Sequence, residues 1–274
     1  MRFSLLTARL LLLLLAAFST TSADQKKPKK LSVQEDVELK ANCGAGDANE
    51  RNPDWLTAVR FEHSNTFGMV VSKRHVIIHA SDFLKKHPCR GNVSVVREEL
   101  KGLGTRVVIA RTACWSGKTE LCQLAYPVNM WFTGHCSKDG AHRGYIIYEL
   151  PSPFIDRKPI CLLTNSSGIR FDWDTQPVYN MTRYPGVFAR TSPDYQTFVQ
   201  EYTKDMSNAT FARSADPSSR RSDMVSLRLN DRNVFIGFSP FEGDEKNPNL
   251  RLNAFNTQDF HHFCSFAGIC DRSK

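Results

Sequence analysis

Short apolar runs separated by turn residues fill most of the chain beyond residue 53. Residues 67–80 (FGMVVSKRHVIIHA) predict two strands joined around Ser72-Lys73-Arg74, and residues 105–113 (TRVVIARTA) alternate as a half-buried strand does. Residues 224–238 (MVSLRLNDRNVFIGF) predict a hairpin that turns at Asn230-Asp231. These segments indicate a chain built mainly of β-strands.

Helical patterns are sparse in the same sequence. Only residues 197–206 and the last twenty residues indicate helix. Residues 144–150 (GYIIYEL), in contrast, are typical of a buried strand. Many short strands in a chain of 274 residues predict an all-β fold, either a sandwich or a barrel. A hydrophobic content of 41% can fill a core, which excludes a disordered or collagen-like chain.

The first 23 residues have the three parts of an export signal. A basic start with Arg2 and Arg9 leads into the apolar stretch 10–18, and small residues stand before Asp24. This stretch is too short to cross a bilayer, and no later run reaches the ~20 apolar residues of a membrane helix. The sequence therefore predicts a signal peptide over residues 1–23, a secreted, extracellular protein and no membrane span.

Basic residues cluster directly after the predicted signal peptide. Residues 24–42 are polar and lack apolar periodicity, and four lysines lie in the segment Lys26 to Lys30. We interpret residues 24–42 as a basic polar N-terminal tail and its lysine-rich stretch as solvated and disordered. The alternative is that Lys26 to Lys30 bind an anionic surface such as a sulfated glycan. The net charge of +8 does not indicate nucleic acid as a partner, because export is predicted.

All eight cysteines lie beyond the predicted signal peptide, which favours disulfides formed in an oxidising compartment. Spacing alone leaves about 105 pairings open. The cysteines are Cys43, Cys89, Cys114, Cys122, Cys136, Cys161, Cys264 and Cys270. A zinc site built from His135-Cys136, or from His261, His262 and Cys264, lacks regular ligand spacing. We therefore expect neither a metal nor a cofactor.

Four sequons support the prediction of export. Each would carry a glycan only if it lies in an exposed loop of a secreted chain. The acceptor asparagines are Asn92, Asn165, Asn180 and Asn208.

From Pro53 onward the chain resembles trypsin-like serine proteases. Residues 54–59 (DWLTAV) stand where the family has PW-x-V, and residues 74–82 (RHVIIHASD) stand where it has RHVLTAAHC. Farther on, residues 144–150 are similar to its DIALLKL strand, residues 159–162 (PICL) to its PVCLP, and residues 233–237 to a strand ending in an IG or VG pair. The order and the spacing of these motifs match the family.

The sequence is most similar to a nematode-expanded group of secreted trypsin-like proteins of unassigned function. Residues 31–44 resemble its "LS...E...L...CG" opening, and residues 264–270 resemble its "C-x-x-x-G-I-C" ending. The resemblance implies a chymotrypsin-like pair of six-stranded β-barrels with a short C-terminal helix. It also implies a Cys43–Cys161 disulfide. The trypsin-like domain would span residues 43–274, with barrel 1 over about 53–158, barrel 2 over about 165–257 and the helix over about 258–268.

Catalysis in this family needs a histidine base, an aspartate that orients it and a serine nucleophile. On the RHV alignment the base position falls on Ser81, and His79 lies two residues early. The position of the aspartate falls on Gly144, which has no side chain. The position of the nucleophile falls on Arg221. All three catalytic positions are therefore predicted to be degenerate.

Other family features are missing as well. No glycine lies between Gly186 and Gly237, although an oxyanion hole depends on glycines for its tight turn. Arg51 is not followed by the IVGG terminus that activates these proteases, and Asp82 stands where a cysteine follows the catalytic histidine. We therefore predict a proteolytically inactive homologue that binds or regulates an extracellular protein or peptide.

Two other classes of function stay open at this point. One is a serine-type endopeptidase or hydrolase with a displaced triad, in which His75 or His79 serves as the base. The other is a structural component of a cuticle or matrix. Four phenylalanines near the expected substrate wall are interpreted as core rather than site residues: Phe238, Phe241, Phe255 and Phe260.

Overall fold

A computed structural model gives the architecture of the chain. It describes residues 29–46, 53–61, 64–80, 107–111, 124–136, 142–154, 157–162, 178–184, 196–204, 210–213, 223–239, 249–254 and 257–270. Ser81, Arg221, Phe241, Phe255, Cys89, Cys114, Cys122, Asn92, Asn165, Asn208, the predicted signal peptide and most of the Lys26 to Lys30 cluster lie outside the described residues.

Six antiparallel strands form the first sheet, in the spatial order β4-β1-β2-β3-β6-β5. Two backbone hydrogen bonds of 2.8 Å join Ile109 of β4 to Ala125, just before β5, so the two edges of the sheet meet. The sheet therefore curls into a barrel. Its strands are β1 (Leu56–Phe61), β2 (Ser64–Val70), β3 (His75–His79), β4 (Val107–Arg111), β5 (Asn129–Cys136) and β6 (His142–Glu149).

Seven strands form the second sheet, in the order β11-β8-β9-β10-β13-β12-β7. Since β11 also pairs with β12, six of these strands close into a ring, and β7 adds to β12 in parallel. The predicted all-β double barrel is confirmed. The strands are β7 (Cys161–Leu162), β8 (Val178–Tyr184), β9 (Gln196–Lys204), β10 (Thr210–Arg213), β11 (Asp223–Leu229), β12 (Arg232–Ser239) and β13 (Asn249–Ala254).

Strand β3 is buried along its whole length because it lies between two hydrophobic clusters. Ile77 belongs to a cluster that also contains Phe235 and Phe238 of the second barrel. Val76 and Ile78 belong to a cluster made only of first-barrel residues. Neighbouring residues of a strand point to opposite faces. One face of β3 therefore fills the first barrel, and the other packs against the second.

The hairpin of β11 and β12 turns where the sequence predicted. Asn230 and Asp231 both have positive φ, 48° and 60°. Two consecutive left-handed residues make the type I′ turn that matches the twist of the flanking strands, and Asn and Asp tolerate this conformation.

Among the residues that the structure describes, two helices flank the barrels, and the sequence predicted one of them. The expected C-terminal helix is α2 (Thr257–Ala267). Residues 197–206 were expected to be helical, but this prediction is wrong because β9 (Gln196–Lys204) pairs with both β8 and β10. The segment is rich in Thr, Phe, Val and Tyr, which favour strands once neighbouring strands are available to pair with them.

The second half of the predicted basic polar tail is helical, which the sequence pattern did not predict. Val33–Asn42 form helix α1. The Ser32 hydroxyl accepts a hydrogen bond from the Glu35 amide, and the Glu35 carboxylate accepts one from the Ser32 amide, at 3.2 and 2.8 Å. This capping box satisfies two backbone donors that the first turn leaves unpaired.

Helix α1 docks on the barrels mainly through polar contacts, which explains why apolar periodicity did not reveal it. Asp36 is fully buried and pairs with Lys40 at 2.9 Å. The Lys40 ammonium also donates to the Cys270 carbonyl, and Arg232 donates to the Lys40 carbonyl at 2.6 Å. The Leu31 amide donates to Ala267 at 2.9 Å, so α1 is joined to the C-terminal segment.

Two disulfides lie within the described residues, which fits an extracellular protein. Cys43 is bonded to Cys161, the pairing that the family resemblance implies, and the bond spans 118 residues of sequence. Cys264 is bonded to Cys270. Cys136 lies in β5. In the described part of the chain, no helix combines the length and apolar character that a membrane crossing requires.

Candidate functional site

The position of the orienting aspartate is the one catalytic position that the structure describes. Gly144 lies in β6, and the antiparallel register that pairs His79 with Tyr145 brings it beside the end of β3. Ser81 would follow one residue after Ala80, which is the last described residue of that segment. The predicted acid position therefore lies beside the last described residues before the predicted base position.

The backbone at Gly144 is adapted to glycine. Its φ of 150° lies in a region that residues with a side chain rarely adopt. An aspartate at this position would therefore have a strained backbone. The glycine belongs to the local conformation of β6, and a single substitution would not restore the missing acid.

His79, the histidine nearest to the base position, is packed inside the protein. Its side chain is 7% exposed, and the ring centre lies 5.2 Å from that of Phe238 in the second barrel. Burial lowers the pKa of His79 to about 4. The ring is therefore neutral at physiological pH and forms part of the apolar contact between the barrels.

In the described part of the chain, one serine and one histidine form a hydrogen-bonded pair. This pair stabilises a turn and is not a catalytic pair. Ser72 Oγ lies 2.7 Å from His75 Nδ1, and it accepts from the amides of Arg74 and His75 at 3.1 and 3.0 Å. With both amides donating to it, the hydroxyl gives its own proton to Nδ1. Both side chains are fully buried. A substrate has no access to this serine.

The acid opposite His75 does not complete a triad. Glu149 pairs with His75 in the β3–β6 register and is fully buried, but its oxygens accept from the Lys29 amide at 3.0 Å and from the Asn129 side chain at 2.8 Å. His75 Nε2 has no hydrogen-bond partner within the described part of the chain. Burial lowers the pKa of His75 to about 3, so the ring is a weak base.

A polar network beside Gly144 joins α2 to the first barrel. The Tyr145 hydroxyl donates to Asp259 at 2.9 Å, and Thr133 Oγ1 lies 2.6 Å from His262 Nδ1. Thr133 also hydrogen-bonds Tyr145. Burial, and then the Asp259 charge, raise the pKa of Tyr145 well above its usual value. The network holds the helix in place, and no local sequence pattern signals it because its outermost members, Thr133 and His262, are 129 residues apart.

Several candidate residues from the sequence have structural roles. Phe238 is 3% exposed in the core, and Phe260 packs against the same cluster. Cys264 is committed to a disulfide, so it has no thiolate for zinc. Within the described ranges, no group of His, Cys, Asp or Glu could hold a metal ion. Asn180 lies in β8 rather than in the loop that glycosylation was expected to require.

The segment that leads from α1 into the barrels is fixed to the second barrel. Asn233 donates through its side chain to the carbonyls of Gly44 and Gly46, at 3.0 and 2.9 Å, and its amide donates to Gly44 at 2.9 Å. Gly44 has φ of +72°, and a Cβ there would lie 2.5 Å from the Asn233 carbonyl oxygen. This close approach therefore requires glycine. The adjacent Cys43–Cys161 bond adds a covalent link at the same place.

Beside this segment lies a groove of about 180 Å³, which the sequence did not predict. One wall is formed by α1, and the other by the β2–β3 turn and residues 157–159, which connect the two barrels. We call this site the α1 groove. Its members are far apart in sequence, so only the docked position of α1 creates it.

Comparison with known proteins supports the fold. The crystal structure of a scabies mite inactivated protease paralogue is similar to this chain, with a TM-score of 0.50 and 13% sequence identity. The similarity covers 77% of this chain and 92% of the mite protein. No protein-family model and no curated protein matches the sequence. At this identity the likeness shows the fold alone, and that fold is the trypsin-like pair of β-barrels.

Proposed function

We propose that this chain is a secreted, proteolytically inactive homologue of the trypsin-like serine proteases that acts outside the cell as a binding or regulatory protein. The fold of an inactivated protease paralogue supports the proposal. A fold can persist as a scaffold after its catalytic residues are lost.

The observation that carries the proposal is Gly144. On the motif alignment this residue stands at the position of the acid that orients the catalytic histidine, and its φ of 150° disfavours any residue with a side chain. In an active protease, the acid holds the imidazole in the correct tautomer and stabilises its charged form. Nothing at residue 144 can perform this role.

The histidines near the site support the same conclusion. His79 packs against Phe238 across the barrel junction, and His75 bonds to a serine inside a turn. Both are buried, and their lowered pKa values make them weak bases. A general base must reach the hydroxyl of a nucleophile and the substrate, and neither ring is open to solvent.

At the two other catalytic positions, the proposal rests on the sequence. Ser81 cannot replace an imidazole as a base, and Arg221 cannot attack a carbonyl. Removing any member of a triad costs on the order of 10⁴ in rate or more. With all three positions changed, we expect no proteolysis above background.

Secretion is part of the proposal and rests on separate observations. The Cys43–Cys161 and Cys264–Cys270 bonds fit an oxidising compartment. The apolar stretch 10–18, which follows basic residues, fits an export signal. The partner would be an extracellular protein, peptide or small molecule, and the Lys26 to Lys30 cluster would favour anionic surfaces.

Turnover of general protease substrates tests the proposal. Fluorescein-labelled casein and an arginine ester are incubated with the purified secreted protein, before and after limited cleavage with trypsin that is then inhibited. Active trypsin is the positive control. We expect a rate at least about 10⁴-fold below that of trypsin in every sample. Turnover that follows the protein through purification and disappears in a His75→Gln or His79→Gln variant would instead establish a hydrolase with a displaced base.

A further inference from the structure

The α1 groove has an acidic wall with an apolar floor. Glu35, Glu38 and Asn42 lie three and four residues apart along α1, so they share one face of the helix. Glu35 and Glu38 are exposed at the rim. Leu39 is partly buried below them and packs against the hydrophobic core. Along this face the helix spans roughly 10 Å.

The opposite wall carries positive charge. Lys73 comes from the β2–β3 turn, and Lys158 comes from the connection between the barrels, where both side chains are exposed. Arg157 lies deeper, 7% exposed, with its guanidinium 4.6 Å from the Phe154 ring centre. Pro159 adds apolar surface beside Leu39.

The two walls act on each other electrostatically. Hydrogen bonds from Ser32 lower the pKa of Glu35, and the charges of Arg74 and Lys73 lower it further. Glu35 is therefore ionised at neutral pH and below. The groove holds an anionic and a cationic rim above an apolar floor, which is an arrangement that complements a dipolar ligand.

We propose that the α1 groove binds a free amino acid with a large apolar side chain. The ligand's ammonium group lies between Glu35 and Glu38, and its carboxylate lies against Lys73 and Lys158. The side chain rests on Leu39 and Pro159.

The size of the groove supports a ligand of this class. A cavity of about 150 Å³ holds benzene. The groove volume of about 180 Å³ therefore accommodates one branched or aromatic side chain. A folded partner could not enter such a space. Glu35 and Glu38 each accept a hydrogen bond within α1, from the Ser32 amide and from the Gln34 side chain. A purely apolar ligand would add no charge partner to either rim, and an ion of one sign would pair with only one wall.

The inference rests on the proposed function, since it names a ligand for a chain whose role is binding, but the two can fail separately. The groove is formed by other residues than Gly144, His79 and Phe238 at the barrel junction. Absence of ligand binding would leave the proteolytic inactivity intact. Proteolytic turnover would overturn the inactive-homologue proposal whatever the groove binds.

Saturation-transfer NMR on the full secreted protein tests the ligand class. L-leucine and L-phenylalanine are titrated to about 20 mM, which exceeds the millimolar Kd expected of so small a ligand. N-acetyl-leucine lacks the ammonium group, and leucinamide lacks the carboxylate. We expect each blocked ligand to bind at least about tenfold more weakly, because one charged rim then has no partner. No saturation transfer from either amino acid, or equal binding of the blocked forms, would overturn the proposal.

Charge reversals locate the site. Glu38→Lys and Lys158→Glu each change one exposed rim residue, so folding is preserved, and each should weaken leucine binding at least about tenfold. Val37→Lys, on the outer side of the same helix, and Lys30→Glu, outside the groove, are the matched controls. They should bind leucine as the parent protein does. Binding that survives both rim variants, or that is lost equally in the controls, would contradict a site in the groove.

Discussion

The barrel junction and the α1 groove differ in almost every property that makes a site. At the junction, His79 packs against Phe238, and Gly144 leaves no side chain where an acid would be needed. In the groove, exposed charges of both signs border an apolar floor. The described part of the barrel junction is packed with buried side chains, whereas the α1 groove is open to solvent.

The difference teaches where to look for function in this fold. Proteases of this fold place their chemistry between the barrels, but here the described residues of that region serve stability. The open site depends on α1, which lies before the first barrel and is fastened by polar contacts and a disulfide. The predictions below separate the two regions, from the largest expected effect to the smallest.

Removing the Cys43–Cys161 disulfide should have the largest effect. The bond spans 118 residues, and closing a loop of that size stabilises a fold by about 5 kcal/mol. A Cys43→Ala/Cys161→Ala double variant should lose free energy of unfolding of this order in urea titrations. A Cys264→Ala/Cys270→Ala variant is the control, since its separation of 6 residues predicts about 2 kcal/mol. Equal losses would show that the segment before barrel 1 is not held by this bond.

Acid should destabilise the protein through two buried histidines, His79 at the barrel junction and His75 at the start of β3. Burial lowers the pKa of His75 to about 3 and of His79 to about 4, from 6.5 in both cases. The unfolded chain therefore binds protons that the folded chain does not, so stability is complete above pH 6.5 and is lost as the pH falls. Each histidine contributes about 1.4 kcal/mol per pH unit in this range.

Unfolding measured between pH 7.5 and 4.5 tests this dependence. The slope of the unfolding free energy against pH should be smaller by about 1.4 kcal/mol per pH unit in a His79→Leu variant, because this variant removes one of the two protonations. A His261→Leu variant changes an exposed histidine and serves as the control. An unchanged slope in His79→Leu would mean that the junction does not hold this ring neutral.

Substituting Gly144 should cost stability without restoring activity. Gly144→Ala and Gly144→Asp both place a side chain at a φ of 150°, for a loss of about 1–3 kcal/mol. Comparing the two variants separates backbone strain from the effect of the new charge. Their free energies of unfolding and their casein turnover should be measured together. An aspartate variant that is stable and hydrolyses casein would show that only the acid had been missing.

Removing the cap of α1 should have the smallest effect and should be confined to the groove. Ser32→Ala deletes the hydroxyl that accepts from Glu35, for a cost of about 1 kcal/mol. Amide hydrogen exchange should rise in α1 while β3 and β6 stay protected. Ser152→Ala, in an exposed turn, is the matched control. Faster exchange throughout the barrels would contradict the local role of the cap.

Parts of both barrels were predictable because their strands are signalled locally. The turn at Ser72-Lys73-Arg74 and the Asn230-Asp231 hairpin both follow from turn residues between apolar runs. Residues 197–206 were predicted to be helix, since their strand character depends on pairing with β8 and β10, and the pattern of the segment alone does not show that pairing. Helix α1 carried one usable signal, the Ser32 to Glu35 capping box spacing.

The candidate site was less predictable than the fold. The motif order assigned the acid position to Gly144, and the β3–β6 register places that residue beside the end of β3. The α1 groove, in contrast, is lined by residues as far apart in sequence as Glu38 and Lys158. No local sequence pattern predicts that these two residues line the same groove. The network of Thr133, Tyr145 and Asp259 was missed for the same reason.

The central claim, that this protease fold has no working nucleophile, is tested most directly with a fluorophosphonate probe. The purified secreted protein is labelled beside active trypsin and beside a heat-denatured sample of itself. The account predicts no labelling above that of the denatured sample. Specific labelling of one serine in the native protein would contradict it, and the labelled peptide would identify the nucleophile.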